Sequence, residues 1–288
     1  MKKVISAFLS MTLIFALSAP AFAAEYNSFD PSLGGFSQIT VTYNEFDLAK
    51  ELSQKAYATY QSNEYSASEL SDIQNYQESF SQHINMLNTL PDETLTAHGY
   101  TQDQIVKIRT FNGSEAEMRA IASTVTISAT TANFTYDGNY SRGRLAYSWE
   151  WTGVPNFKMI DLIAVSWNDW IVEYEMSEIS YYGVHTGETY TSLEGVFSED
   201  SNGTVGAAHK FNMLIDDYYY AKRGVGRFDI RSDVHAEKDF FYYLEYGHSQ
   251  VVMSTPSFTV GSGGADGSIS FSLGVVTAGS KQGEYRFP

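Results

Sequence analysis

Leu145–Met176 reads LAYSWEWTGVPNFKMIDLIAVSWNDWIVEYEM, and the reading of this stretch decides the fold. It holds all four tryptophans of the chain, Trp149, Trp151, Trp167 and Trp170. Leu145, Tyr147, Trp149 and Trp151 alternate with Ala146, Ser148 and Glu150, the period of two that marks a strand with one buried face. Leu162–Trp167 is a nearly unbroken apolar run, which predicts a strand covered on both faces. Trp170, Val172, Tyr174 and Met176 then alternate with Ile171, Glu173 and Glu175. The stretch therefore predicts a meander of three strands at the centre of a β domain. Trp149, Trp151 and Trp167 share faces with aliphatic residues and are expected inside. Trp170 follows the turn-like Asn168-Asp169 and is expected nearest to solvent, so that Trp170→Ala would spare the fold.

Working outward, strand patterns continue to the C-terminus. Ile179–Val184, Tyr190–Phe197, Val205–Ile215, Val225–Arg231, Phe240–Tyr246, Gln250–Met253, Phe258–Val260 and Ser268–Val275 all read as strands. Upstream, Val125, Ile127 and Ala129 alternate, and Asp137-Gly138 is a hairpin-type turn. Many short strands separated by turns predict an antiparallel β-sandwich or a partly closed β-barrel over residues 123–288.

Residues 44–122 have a different period. Phe46, Ala49, Ser53, Ala56 and Tyr60 step by three and four behind Asn44, a plausible N-cap, which predicts an amphipathic helix. Leu70, Ile73, Phe80, Ile84 and Leu87 form the stripe of a second helix, ended near Pro91. Two capping boxes follow, at Thr101–Gln104 and Ser114–Glu117, on either side of the break at Asn112-Gly113. The fold class is thus α+β, with an N-terminal helical segment packed on a C-terminal β domain. Residues 24–43 read as a lead-in. Residues 1–23 read as a signal peptide, with Lys2 and Lys3 ahead of the apolar Val4–Leu17 and cleavage near Ala23. The protein is accordingly expected to be secreted.

Composition removes several functions. A net charge of −16 opposes nucleic acid and anionic membranes as partners. The absence of cysteine excludes disulfides, thiolate metal sites and a thiol nucleophile. No serine-hydrolase elbow, zinc-protease helix, phosphate loop or dinucleotide fingerprint occurs. The histidines are scattered singly, and neither a metal nor a cofactor is expected.

Four features could still carry function. Glu150, between two tryptophans, and Asp161, ahead of an apolar strand, are the candidates for a glycosidase-like carboxylate pair. The plainer reading of Glu150 is the solvent side of a half-buried strand. Trp170, Tyr182 and Tyr219 are the candidate ligand-binding rings, because exposed aromatics stack on sugars and on other proteins. Ser257–Val275 is an amphipathic hairpin, of the kind found both in transmembrane β-hairpins and over ordinary cores. Arg227, Asp229 and Arg231 share one strand face, where a neighbouring acidic strand could pair with them. Together these predict an exported, non-catalytic protein that binds carbohydrate or another extracellular protein through exposed aromatics. A secreted hydrolase and a membrane-acting protein that uses the Ser257–Val275 hairpin are the alternatives.

Overall fold

In the computed structural model, which describes residues 38–59, 67–168, 170–192, 196–197, 206–235, 238–250, 258–260, 269–271 and 275–286, part of the lead-in is a strand. This strand, β1 (Gln38–Asn44), pairs antiparallel with β2 (Thr124–Tyr136) in a register running from Gln38↔Thr130 to Asn44↔Thr124. The helices are inserted between these two neighbours: α1 (Glu45–Thr59), α2 (Ala67–Gln74), α3 (Tyr76–Leu87), α4 (Asp92–Ala97), α5 (Gln102–Arg109) and α6 (Glu115–Ile121). The strands that follow are β3 (Ser141–Thr152), β4 (Ile160–Trp167), β5 (Trp170–Gly183), β6 (Thr189–Ser192), β7 (Val196–Phe197), β8 (Gly206–Asn212) and β9 (Leu214–Ile215). The chain continues through β10 (Tyr219–Ser232), β11 (Phe240–Ser249), β12 (Phe258–Val260), β13 (Ile269–Phe271) and β14 (Val275–Tyr285). Seven strands form one sheet in the order β1-β2-β3-β10-β5-β6, with β9 beside β10, and five form another in the order β14-β11-β4-β8-β7. The fold is a sheet-rich α+β arrangement, and neither sheet closes into a barrel.

The three tryptophan strands do not form a meander. β3 and β5 flank β10 in the larger sheet, whereas β4 crosses to the centre of the smaller one. The reason is burial. β4 is apolar on both faces, so it takes a central position between β11 and β8, and β13 lies against it. The tryptophans then meet residues of the opposite sheet. Trp149 stacks on Phe211 of β8 with ring centroids 4.5 Å apart and planes 7° apart. Trp151 donates through Nε1 to the hydroxyl of Tyr246 on β11 at 3.2 Å. Two glycines of β10 make room for this layer. A Cβ on Gly226 would sit 2.1 Å from Tyr147 Cζ, and one on Gly224 would sit 2.6 Å from Trp149.

Trp170 is the expectation that fails, since it is 0% exposed. Its ring packs edge-on against Phe134 and Phe240, and its Nε1 donates to the Asp239 carbonyl at 3.3 Å. The cause is a register shift in β5. Asp229 faces Tyr174 while the next residue, Ile230, faces Val172, which leaves Glu173 as an extra residue. Such a bulge reverses which side chains face inward. Trp170 therefore points to the core before the bulge, and Ile179 and Tyr181 do so after it. Tyr174, on the same alternation as Trp170 in sequence, emerges 51% exposed.

The helices follow their caps closely. Asn44 Oδ1 accepts from the N–H groups of Phe46 and Asp47 at the start of α1. Thr101 and Gln104 complete a capping box, and Gly99 takes the left-handed φ of +94° that precedes it. At Ser114 only half of the box forms, because the Glu117 carboxylate turns to the Asn112 N–H instead. The expected long second helix is two, broken at Asn75, and the break divides its apolar stripe. Leu70 and Ile73 of α2 join the core between the sheets, while Phe80, Ile84 and Leu87 of α3 build a separate helical core. α1 serves both, with Leu48, Leu52 and Ala56 in the first and Phe46 and Ala49 in the second.

Trp170→Ala is expected to destabilise the protein by about 3–5 kcal/mol, the usual range for a buried tryptophan, and to lower the melting temperature as far as Trp149→Ala does. Gly226→Ala, which forces the Tyr147 ring aside, is expected to cost about 1–3 kcal/mol. Thermal and urea melts of the single variants measure both.

Candidate functional site

Two arrangements concentrate chemistry, one buried and one exposed. The buried one contains Asp161, the second residue of β4. Its carboxylate accepts from the Tyr246 hydroxyl at 2.7 Å, from Ser249 N at 3.1 Å and from His248 Nδ1 at 2.9 Å. His248 Nε2 lies 3.2 Å from Glu45 Oε1, at the first residue of α1. Glu45 also accepts from the Ser123 hydroxyl at 2.6 Å and from the backbone N–H groups of Asn156 and Phe157, each at 2.9 Å. Both imidazole nitrogens therefore face carboxylates, which requires the doubly protonated ring.

The titration of these groups follows from that geometry. Burial alone would pull the His248 pKa down, but the charge and hydrogen bond of Asp161, then those of Glu45, outweigh it and raise it to about 10. Burial likewise pushes Glu45 up, and the hydrogen bonds and charge it receives, led by His248, bring it below its ordinary value. Asp161, His248 and Glu45 are all 0% exposed. The centre is a polar cross-link between the helical insertion and the five-stranded sheet, out of reach of a substrate in this conformation.

Glu150 and Asp161 are not brought together. Glu150 occupies the face of β3 opposite Trp149 and Trp151, where its charge acts on the buried Lys222 of β10. Asp161 lies on the tryptophan side, joined to Trp151 through Tyr246. Tyr182 is half-buried against the helical core. Tyr219 is half-buried beside the core between the sheets, with the Tyr218 ring edge-on at 4.8 Å.

The exposed arrangement is the outer face of the larger sheet, formed by β3, β10 and the bulged part of β5. Arg144, Asp229 and Tyr174 stand in one cross-strand row, and Arg142 and Arg231 in the next. Asp229 accepts from Arg144 Nε at 2.8 Å and from Arg227 Nη2 at 2.6 Å. Arg231 reaches Glu173 at 3.0 Å, and Arg142 bonds Asp137 and approaches Glu173 at 3.5 Å. Rings are interleaved with these charges. Arg227 lies 5.3 Å from the Tyr174 centroid, and Arg231 lies 4.2 Å from that of Tyr140, which itself bonds His235. The arginine–acid face was visible in the sequence as the Arg227, Asp229, Arg231 alternation. Tyr174 was not, because nothing in the sequence marks the bulge at Glu173.

Replacing His248 with Gln removes a stabilisation whose pH window can be stated. A histidine raised from 6.5 to about 10 stabilises fully below 6.5, and loses that contribution as the pH rises toward 10. Glu45, lowered from 4.5, contributes above that value and loses its contribution as the pH falls through its folded pKa. The melting-temperature gap between wild type and His248→Gln is therefore expected to be widest at about pH 4.5–6.5 and to narrow on both sides. Melts recorded from pH 4 to about pH 10 test this.

No family model and no curated protein matches the chain. Among solved structures it is similar to AvmM, which catalyses macrocyclization in alchivemycin A biosynthesis, at 9% identity over 55% of this chain and 87% of that one, with a TM-score of 0.24. It is also similar to the C-terminal domain of the Streptococcus agalactiae AgI/II polypeptide BspA, at 7% identity over 55% of this chain and 57% of that one, with a TM-score of 0.26. A third is the Clostridium perfringens NetB toxin in its membrane-inserted form, at 10% identity over 56% and 88% of the two chains, with a TM-score of 0.22. Similarities of this depth place the chain in no family and carry no argument about its activity.

Proposed function

We propose that this is an exported, non-catalytic surface-interaction protein that holds a carbohydrate or another extracellular protein on the outer face of its larger sheet. The observation that carries this reading is Tyr174, a ring 51% exposed on the outer face beside a guanidinium. Water-facing rings of this kind gain from stacking on an apolar partner surface, while their hydroxyls and the arginines beside them supply directed hydrogen bonds. Tyr136, also exposed, stands at the hairpin end of the same sheet. The face takes over the role that the sequence suggested for Trp170. In this reading the two larger sheets are the layers of a β-sandwich, and residues 1–23 direct the chain out of the cell.

The two alternatives draw less support. A hydrolase built on Glu150 and Asp161 would need both carboxylates in one cleft, and they lie on opposite sides of β3. For a membrane-acting hairpin, β12 and β13 do pair, but β13 lies against β4 as a cover for that strand would. No helix among the described residues is long and apolar enough to cross a membrane.

Tyr174→Ala is expected to leave the melting temperature within about 2 °C of wild type, since exposed substitutions change stability little. It is also expected to weaken binding by about tenfold in a screen of soluble polysaccharides and purified extracellular proteins. Unchanged binding of every partner found in that screen would remove this face from consideration.

A further inference from the structure

Within that outer face one row has an unfilled hydrogen-bonding capacity. Asp229 is shared by two guanidiniums, and its geometry with them is unequal. Arg227 engages it twice, through Nε at 3.1 Å and Nη2 at 2.6 Å. Arg144 engages it once, through Nε at 2.8 Å. The two terminal nitrogens of Arg144 make no hydrogen bond to a described residue, and neither does the Tyr174 hydroxyl on the other side of Asp229. Arg144 and Arg227, the latter from the adjacent row, share the single carboxylate of Asp229, so these three side chains together keep one positive charge on a chain whose net charge is −16. A planar fork with free donors is the geometry that pairs two-pronged with a carboxylate.

We infer that the Arg144–Asp229–Tyr174 row binds a carboxylate-bearing pyranose, the acidic sugar of an extracellular glycan. This rests on the reading of the outer face as the recognition surface and names what it recognises. Arg144 holds the sugar carboxylate, and Tyr174 stacks on the face of the next ring. The spacing suits it, because two strand intervals span about 10 Å, roughly the length of a disaccharide. Arg227 balances Asp229 between them, so the bound carboxylate meets no uncompensated acid. A peptide partner fits less well. Peptides anchor through apolar side chains in pockets, and a small cleft among the described residues is lined by Trp149, Phe211 and Ile163 and does not include the exposed rings.

The test is titration calorimetry of the full chain with trigalacturonate and with 3′-sialyllactose, against maltotriose and lactose as neutral counterparts. The acidic sugars are expected to bind at least about tenfold more tightly than the neutral ones, and to weaken as salt is raised to about 0.5 M. Arg144→Gln is expected to abolish that preference and Tyr174→Ala to weaken both classes, each with an unchanged melting temperature. Equal, Tyr174-dependent binding of acidic and neutral sugars overturns the acidic-sugar assignment and leaves the recognition face standing. Tyr174-dependent binding of an extracellular protein, with no sugar bound, does the same. Binding of any partner that neither substitution affects overturns both.

Discussion

The charged hydrogen bonds that converge on His248 set the terms for the rest of the molecule. Glu45 begins α1, Asp161 begins the central strand of the smaller sheet, and the imidazolium joins them with no exposure to water. Ions this deep are tolerated only when every donor and acceptor is matched, and breaking one such pair costs about 3–5 kcal/mol because the other charge is left stranded. Here Ser123, the adjacent Asn156 and Phe157, and Tyr246 and Ser249 of β11 supply the matching groups. The helical insertion therefore has one seating on the sheets. An apolar contact would tolerate a slide of α1 by a residue, whereas this centre would not.

The same logic of unequal faces explains the exposed surface. In the larger sheet β10 faces the core with Gly224, Gly226, Phe228 and Ile230, and faces solvent with Arg227, Asp229 and Arg231. Its neighbour β5 would bury Tyr174 if its alternation ran unbroken. One extra residue at Glu173 turns the ring outward and leaves Trp170 inside. A second irregularity, at Lys222 in β10, turns that lysine toward the helical insertion, where it donates to the His98 carbonyl at 2.6 Å. Both shifts place a polar or amphipathic side chain where simple alternation would not.

What the sequence made legible follows from these forces. Periodicity found the helical and strand regions, the caps at Asn44 and Thr101, and the burial of Trp149, Trp151 and Trp167, because each depends on neighbours within a few residues. It could not find the separation of β4 from β3 and β5, which is decided by partners such as Tyr246 and Phe211 far along the chain. Asp161 stood out by its residue type, but its partners Glu45 and His248 lie 203 residues apart in sequence. Alternation in the sequence groups Tyr174 with Trp170, because a bulge without glycine leaves no local signature. The Gln250–Met253 strand and the tip of the Ser257–Val275 hairpin fall largely outside the described residues.

The insertion of the helices between β1 and β2 has a kinetic side. Thr42 and Thr126, which share a hydrogen bond of 2.9 Å across that pair, are 84 residues apart in the chain. Closing so long a loop from an unfolded chain is entropically slow, and only the logarithm of loop length softens the penalty. The helical core shortens the effective path, since Glu45 and Ser123 at its two ends are already joined by backbone and side-chain bonds. The insertion thus acts as a clasp that brings the two strands to the start of their register, with β1 at the edge of the larger sheet.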